Sequence, residues 1–266
     1  MEKHEYAVMF RLEEDYWWYR GLRDIVFRCL DRFISRYEQR HISTARILDA
    51  GAGTGKLLAE CREYHARGYH ACGLEFSEHA LPFLKARGLG SIVQASICRM
   101  PFHNRAFDAV TSLDVLYHAG VNSDREALVE IHRILKPGGL LILNLPAFEF
   151  LRSPHDLAVH TRRRYRAGDL RQKLQEHGFS IQVLTYRNAL LFPAAVAARI
   201  IRRTLSPDGR SERSGQGRCR IASDLRPLPS WLNRLLYGIL TFENALLFRG
   251  LTFPFGLSVF CVAEKK

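Results

Sequence analysis

Several features that would place this chain in a common class are missing from its 266 residues. None of the six cysteines forms a C-x-x-C pair, and the histidines show no zinc-ligand spacing. No apolar run reaches the length of a membrane span, and residues 1–20 carry acids where a signal peptide would be apolar. We therefore expect reduced thiols, no bound metal, no transmembrane helix and a cytoplasmic location.

Net charge is also missing from the first part of the chain. Residues 1–159 contain 20 basic and 20 acidic residues, whereas residues 160–266 contain 19 basic and 7 acidic ones and carry the whole net charge of +12. A positive field of this kind attracts nucleic acid, an anionic bilayer or a phosphorylated substrate. The alternative is a solvated basic surface without a partner.

The most informative segment is residues 47–55, where an apolar strand runs into a glycine-rich turn. Ile47 and Leu48 are typical of a buried parallel strand, and Asp49 ends it. With a helix predicted from about Lys56, the strand, turn and helix N-terminus form a crevice for a nucleotide cofactor. The dinucleotide fingerprint would need glycine at the position of Lys56, so the pattern disfavours an NAD-type oxidoreductase.

This acid-G-x-G-x-G pattern resembles motif I of class I S-adenosylmethionine (SAM)-dependent methyltransferases. Later stretches agree in order: a second strand at 70–75 ends in an acid, 100–118 resembles the family's "LPF…FD-x-V…DVL-x-H", and 135–142 resembles its "LKPGG" turn. The resemblance covers roughly residues 45–146. It implies an α/β fold with a seven-stranded Rossmann-like sheet and SAM as the cofactor.

The resemblance also implies which residues hold SAM. The carboxylate of Glu75 suits two adjacent ribose hydroxyls. Ser96 and Ile97 stand where the family contacts adenine, although many members have Asp at the position of Ser96. The expected cofactor-binding residues are Tyr19, Arg20, Asp49, Gly51, Ala52, Gly53, Gly55, Glu75, Phe76, Ser96, Ile97, Leu113 and Asp114.

An aromatic segment precedes a helix predicted from about Leu22 to Arg36. Trp17, Trp18, Tyr19 and Arg20 form a cluster that is costly to leave in water. With S-P-H-D at 153–156, H…RRY at 160–165 and an apolar insertion before the last strand, it resembles a methyltransferase type 11-like subgroup, in which His stands where this chain has tyrosine 16. We expect the cluster to cover the cofactor or acceptor pocket, with the arginine pairing with the SAM carboxylate.

Methyl transfer from SAM is an in-line displacement that needs alignment and, for some acceptors, removal of a proton. Candidate catalytic residues follow strands four and five: His118, His155, His160 and Tyr165. The alternative interpretation of His118 is that it is a structural residue near the cofactor. The expected substrate-binding residues are Trp17, Trp18, Tyr117, Asp156 and Arg164. No metal is implied, because positions 155, 156 and 160 do not share one helix face.

Strands six and seven are predicted at 179–186 and 257–263. The methyltransferase domain then comprises 1–186 and 257–266, and 187–256 is a helical insertion. It has an apolar stretch at 189–201, a Ser-, Gly- and Arg-rich part at 204–220, and an amphipathic helix or helix pair at 228–248. Aromatic and arginine residues beside apolar helices suit a membrane interface. The alternative is a lid packed on the sheet domain.

The sequence therefore predicts a methyltransferase for a small-molecule or lipid-like acceptor, phosphorylated ones included, either free or at an anionic membrane surface. An O- or C-methyltransferase of secondary metabolism with a soluble acceptor is the alternative. An RNA-binding methyltransferase is less favoured, because residues 113–116 lack the N-P-P-Y or D-P-P-Y stretch, so no nucleic-acid partner is expected. A non-catalytic SAM-binding protein and the oligomeric state stay open.

Overall fold

The computed structural model describes residues 1–38, 44–63, 69–205 and 227–266, and at 201–205 it describes the backbone only. From residue 206 onward, the predicted Ser-, Gly- and Arg-rich part lies outside the described residues.

A seven-stranded mixed sheet forms the centre of the fold, in the order β3-β2-β1-β4-β5-β7-β6. The last strand of the chain runs antiparallel to both of its neighbours, and the other pairs are parallel. This confirms the α/β class and the seven-stranded sheet. The strands are β1 (Ala45–Ala50), β2 (Tyr69–Glu75), β3 (Ile92–Gln94), β4 (Phe107–Leu113), β5 (Leu135–Pro146), β6 (Phe179–Arg187) and β7 (Ser258–Lys265).

Helices lie on both faces of the sheet and over one end of it. They are α1 (Lys3–Leu12), α2 (Trp17–Glu38), α3 (Lys56–Glu63), α4 (Leu81–Ala86), α5 (Asp124–Ile134), α6 (Pro154–Ala158), α7 (Ala167–Glu176), α8 (Phe192–Leu205) and α9 (Ser230–Phe248). The helix predicted from Leu22 begins earlier, at Trp17, so the aromatic cluster is its first turn. The sequence reasoning did not predict α1.

Alternation along the strands divides the core into two layers. Leu48 of β1 packs in a cluster with Ile131 of α5, whereas its neighbour Ile47 packs with Leu30 of α2 and Leu247 of α9. Successive side chains of a strand point to opposite faces, so a strand buried on both sides carries an unbroken apolar run. This explains why residues 47–48 were recognisable as a buried strand.

Between β6 and β7 the chain forms α8 and α9, and the stretch predicted at 228–248 is one helix. Buried polar groups attach α9 to the sheet domain. Both oxygens of Glu243 accept backbone hydrogen bonds, from Asn188 N at 2.6 Å and Leu190 N at 3.1 Å. The Asn244 amide donates to the carbonyl oxygen of Gly21 in α2 at 2.8 Å.

The opposite face of α9 is apolar and open to solvent. Trp231, Leu235 and Phe242 are 67%, 54% and 59% exposed. No helix in the described part of the chain is long and apolar enough to cross a membrane. The face of α9 that is attached to the sheet domain is compatible with the lid interpretation. The exposed apolar face of α9 is compatible with the membrane-interface interpretation.

Candidate functional site

A cavity of about 940 Å³ lies where β1, β2 and β4 end, beneath α1 and the first turn of α2. This is the edge at which open α/β sheets bind ligands. Its lining is mainly apolar and aromatic, and it includes several carboxyl and imidazole groups.

The glycine-rich turn forms one wall of this cavity. Gly51 has φ +106°, and a Cβ there would lie 2.2 Å from Val115 Cγ2, so no other residue fits. Its N–H donates to the Leu74 carbonyl at 2.8 Å, which joins the turn to β2. Gly55, by contrast, does not line the cavity: a Cβ there would lie 2.5 Å from Leu89, so this glycine allows close packing.

Three carboxyl groups lie at the strand ends, and burial raises the pKa of each. Glu75 accepts hydrogen bonds from Gly53 N at 2.7 Å and Ser77 N at 2.8 Å, and burial raises its pKa. Asp49 accepts from a threonine hydroxyl at 2.8 Å, and burial raises its pKa to about 7. Burial likewise raises the pKa of Asp114 to about 7. A cation bound here would therefore displace protons near neutral pH.

The first turn of α2 covers part of the cavity. Trp17, Trp18 and Tyr19 line it, and burial raises the pKa of the tyrosine hydroxyl. Arg20 does not line it: its guanidinium lies 4.0 Å from the ring centre of Tyr237 in α9. The expected pairing of Arg20 with the SAM carboxylate is therefore not supported, because the helix begins early enough to direct this side chain toward α9.

Ion pairs hold the turn between α1 and α2 against the glycine loop. Arg87 of the segment after α4 donates to Glu13 at 2.7 Å and to Glu14 at 2.6 Å. The Thr54 hydroxyl donates to the Glu13 carboxylate as well. The acidic run at 13–15 was the available signal for this contact.

Two histidines from different loops meet in the cavity lining. Ala119 N donates to the His160 carbonyl at 2.9 Å, which joins the loops after β4 and β5 and leaves the rings of His118 and His160 5.6 Å apart. Burial lowers the pKa of His118 to about 4, and the amino group of Met1 and the second histidine add to this. His118 is therefore neutral at pH 7. Its Nδ1 accepts a hydrogen bond from Gly120 N at 2.9 Å, and its Nε2 lies 2.7 Å from the amino nitrogen of Met1.

His155 also lines the cavity, and its buried Nδ1 has no hydrogen-bond partner among the described residues. Tyr165 does not line it. Its hydroxyl is buried and donates to the Leu116 carbonyl at 3.1 Å, and burial raises its pKa. The proposal of Tyr165 as a base is thus corrected to a structural role, because the side chain packs in the core beneath the loop.

Asp156 and Arg164 line the cavity but bind each other through two hydrogen bonds of 2.9 Å. Arg164 also donates to the Ala147 carbonyl at 2.9 Å, and Asp156 accepts from Ser153 N at 2.7 Å. Burial opposes ionisation of Asp156, but the hydrogen bonds from Arg164 and Ser153 outweigh it and lower the pKa. The pair holds the 153–164 loop in place.

The remaining expected residues all border the cavity, namely Ala52, Gly53, Phe76, Ser96, Ile97, Leu113 and Tyr117. Sequence reasoning missed the contribution of α1, which supplies Glu5, Tyr6 and Met9. Glu5, Met9 and Glu13 are four residues apart, as on one face of a helix, and this spacing could have predicted the contribution of α1. In the described part of the chain, no group of three or more His, Cys, Asp or Glu residues is placed to hold a metal ion.

Residues 48–143 match the family described as a methyltransferase domain. A probable tRNA methyltransferase 9B of Homo sapiens is 30% identical over 44% of this chain and 24% of its own length. A demethylmenaquinone methyltransferase of Clavibacter sepedonicus is 34% identical over 44% of this chain and 48% of its own length.

Among solved structures, a SAM-dependent methyltransferase of Thermotoga maritima, described as a possible histamine N-methyltransferase, covers 99% of this chain. The match covers 96% of that protein, with a TM-score of 0.55 and 16% identity, which shows a shared fold. The curated relatives above are matched over less than half of their length. Residues 48–143 therefore resemble a methyltransferase domain, and the chain shares the fold of that solved structure.

Proposed function

We propose that this protein transfers a methyl group from SAM to a small-molecule acceptor, bound between the aromatic first turn of α2 and the histidines of the β4 and β5 loops. One observation carries the proposal. The same cavity is lined by the glycine loop, by Glu75 and by a neutral histidine, His118. Cofactor and acceptor would then share one space, as direct transfer requires.

The residues around the glycine loop fit SAM. Gly51 lines the cavity, and glycine is needed there because Val115 fills the space that a Cβ would occupy. Each carboxylate oxygen of Glu75 accepts one backbone hydrogen bond and keeps a lone pair for a ribose hydroxyl. Ser96 and Ile97 border the same cavity, as adenine contacts would. SAM supplies an activated methyl group on a positively charged sulfur.

The histidine part of the cavity lining is suited to removing a proton from the acceptor. His118 is neutral at physiological pH and lies beside His160, whose Nε2 is 2.9 Å from the Glu2 carboxylate. A carboxylate on a histidine ring orients it and stabilises the charge it would take up. His155 offers a further nitrogen with no partner among the described residues. We infer that the base is one of these three.

The acceptor we propose is largely apolar or lipid-like. The lining is mainly apolar, and a relative named for demethylmenaquinone acts on such a molecule. A phosphorylated acceptor has less support, since cations of the lining are already paired: Arg164 with Asp156, Lys56 with Glu14 at 2.5 Å, and Arg23 with Glu60 at 2.9 Å.

Peripheral membrane association would bring a lipid-like acceptor to this cavity. Trp231, Leu235 and Phe242 form the open apolar face of α9. The exposed Arg234 lies near the start of this helix, and the exposed Arg249 follows its last residue. Apolar burial and attraction to anionic lipid together give reversible attachment, whereas either alone is marginal.

A nucleic-acid substrate is the competing proposal, because one relative is named a probable tRNA methyltransferase. The absence of a nucleic-acid partner thus stays a prediction, as does the alternative of a soluble secondary metabolite. The test is incubation with methyl-labelled SAM and either a lipid extract, a polar metabolite extract or total RNA. Label in the lipid fraction supports the proposal, and label in RNA or polar metabolites replaces its acceptor. Binding of SAM without transfer to any fraction would favour a non-catalytic protein.

A further inference from the structure

Glu5, in the first turn of α1, is a buried carboxylate that the proposed reaction does not use. It is 1% exposed and lines the cavity, and its Oε1 accepts no hydrogen bond from any described residue. His4 Nε2 lies 3.1 Å from this oxygen, but that histidine is about half exposed and is charged only when protonated. A carboxylate buried without a permanent counter-charge is costly unless a ligand supplies one.

Aromatic side chains surround the same part of the cavity. Trp17, Trp18 and Tyr19 line it, and the last two rings meet edge to face at 4.9 Å. Glu5 lines the same cavity as these rings. Aromatic faces attract cations, most strongly when water is excluded.

The charge of the cavity differs from that of the whole chain. The chain carries +12, yet the cations of Arg23, Lys56 and Arg164 in the lining are each paired with a carboxylate. Glu5 and Glu75 form no ion pair with an arginine or lysine of the described residues: Glu5 has only the histidine beside it, and Glu75 accepts from backbone N–H groups. A positively charged ligand would therefore gain from both the carboxylate and the aromatic faces.

We propose that Glu5, with Trp17, Trp18 and Tyr19, binds a positively charged alkylated centre. Two sources share this chemistry: the sulfonium of SAM and a substituted ammonium group on the acceptor. The proposal rests on the proposed function for the identity of the cofactor. If the sulfonium is the source, Glu5 discriminates SAM from S-adenosylhomocysteine, in which the sulfur is a neutral thioether, and thereby favours product release.

The test compares wild type with Glu5→Gln, which removes the charge and keeps the shape. Glu126→Gln, an exposed carboxylate on α5, is the matched control. Calorimetry measures binding of SAM and S-adenosylhomocysteine to each protein. With S-adenosylhomocysteine bound to the protein, calorimetry also measures binding of choline and of 3,3-dimethylbutanol, the uncharged isostere of choline. Thermal unfolding checks that the variants fold.

A sulfonium source predicts that Glu5→Gln weakens SAM roughly 10- to 100-fold and leaves S-adenosylhomocysteine unchanged. Because the two ligands share their amino and carboxylate groups, those groups cancel from the comparison. An ammonium source predicts that both cofactor forms bind normally, while choline loses affinity by a similar factor and the isostere does not.

Equal weakening of SAM and S-adenosylhomocysteine would overturn the proposal, since it would indicate a displaced α1. So would unchanged binding of all four ligands. Failure of the proposed function has a separate readout, in which the wild-type protein binds neither cofactor form. In that case, Glu5-dependent binding of choline to the protein without cofactor would still support the cation site. If choline does not bind either, both the proposed function and the cation site are disproved.

Discussion

The two ends of the cavity are built in different ways. At the cofactor end, the polar groups already have partners: Glu75 is held by two backbone N–H groups, and Asp49 by a threonine hydroxyl. Elsewhere in the lining, Glu5 Oε1, Trp17 Nε1 and His155 Nδ1 are buried without hydrogen bonds to described residues.

This difference indicates that the cofactor end is preorganised by one continuous strand-turn-helix segment, whereas the acceptor end leaves polar groups for its ligand. Preorganised groups give affinity at little ordering cost. Groups contributed by separate loops can instead differ between proteins that share a cofactor, which is how one fold serves many acceptors. Substitutions at the two ends should therefore affect different measurements.

The largest effect is expected at the acceptor end. Alanine at the catalytic histidine, among His118, His155 and His160, should lower turnover by roughly 10²–10⁴-fold, because no group then removes the proton. SAM affinity should stay unchanged if the histidine acts only on the acceptor, and calorimetry measures this beside turnover. His103→Ala, at an exposed position outside the cavity, is the control. Wild-type turnover in all three variants would contradict a base here and would favour an acceptor that loses no proton to the protein.

The converse effect is expected at the cofactor end. Glu75→Ala should weaken SAM binding by about 1–3 kcal/mol, since it removes the ribose contacts and leaves Gly53 N and Ser77 N without their acceptor. Calorimetry measures this, with Asp169→Ala on the surface as control. Unchanged SAM affinity in Glu75→Ala would disprove the ribose assignment and would remove the contrast between the two ends.

The pH dependence sharpens the contrast further. Burial raises the pKa of Asp49 and Asp114 to about 7, so a cationic ligand should displace protons and SAM affinity should rise roughly tenfold from pH 6 to 8. Without ligand, the folded state holds protons that the unfolded state releases, so these two groups lower the free energy of unfolding as pH rises from about 4 to 7. Calorimetry in buffers of different ionisation enthalpy counts the protons. Asp49→Asn should reduce the count, and an unchanged count would show that its carboxyl is not coupled to SAM.

The smallest effect concerns the outer face of α9. Trp231→Ser should reduce co-sedimentation with anionic vesicles about fivefold, because an aromatic anchor is lost. Binding should weaken with salt through its Coulombic part. Val129→Ser, an equally apolar exposed position on α5, is the control. A wild-type protein that stays in solution with every vesicle would support the lid interpretation.

The cofactor end could be predicted because its residues are neighbours in the chain. Gly51 and Asp49 lie in one short segment, and Glu75 ends the next strand of a parallel pair. Arg20 and Tyr165 were assigned wrongly for a common reason. A residue's position within a motif does not give the direction of its side chain, which here depends on contacts with Tyr237 and Leu116 from distant parts of the chain.

The sequence by itself determined the strand-turn-helix segment and the acid ending β2, because glycine conformation and apolar alternation are local properties of the backbone. Only the tertiary structure decided that α1 closes over the cavity, that His118 meets His160, and that the cavity is lined by unpaired carboxylate despite the basic chain. Those features depend on pairings between residues more than forty positions apart, and on which charges find partners when the loops pack.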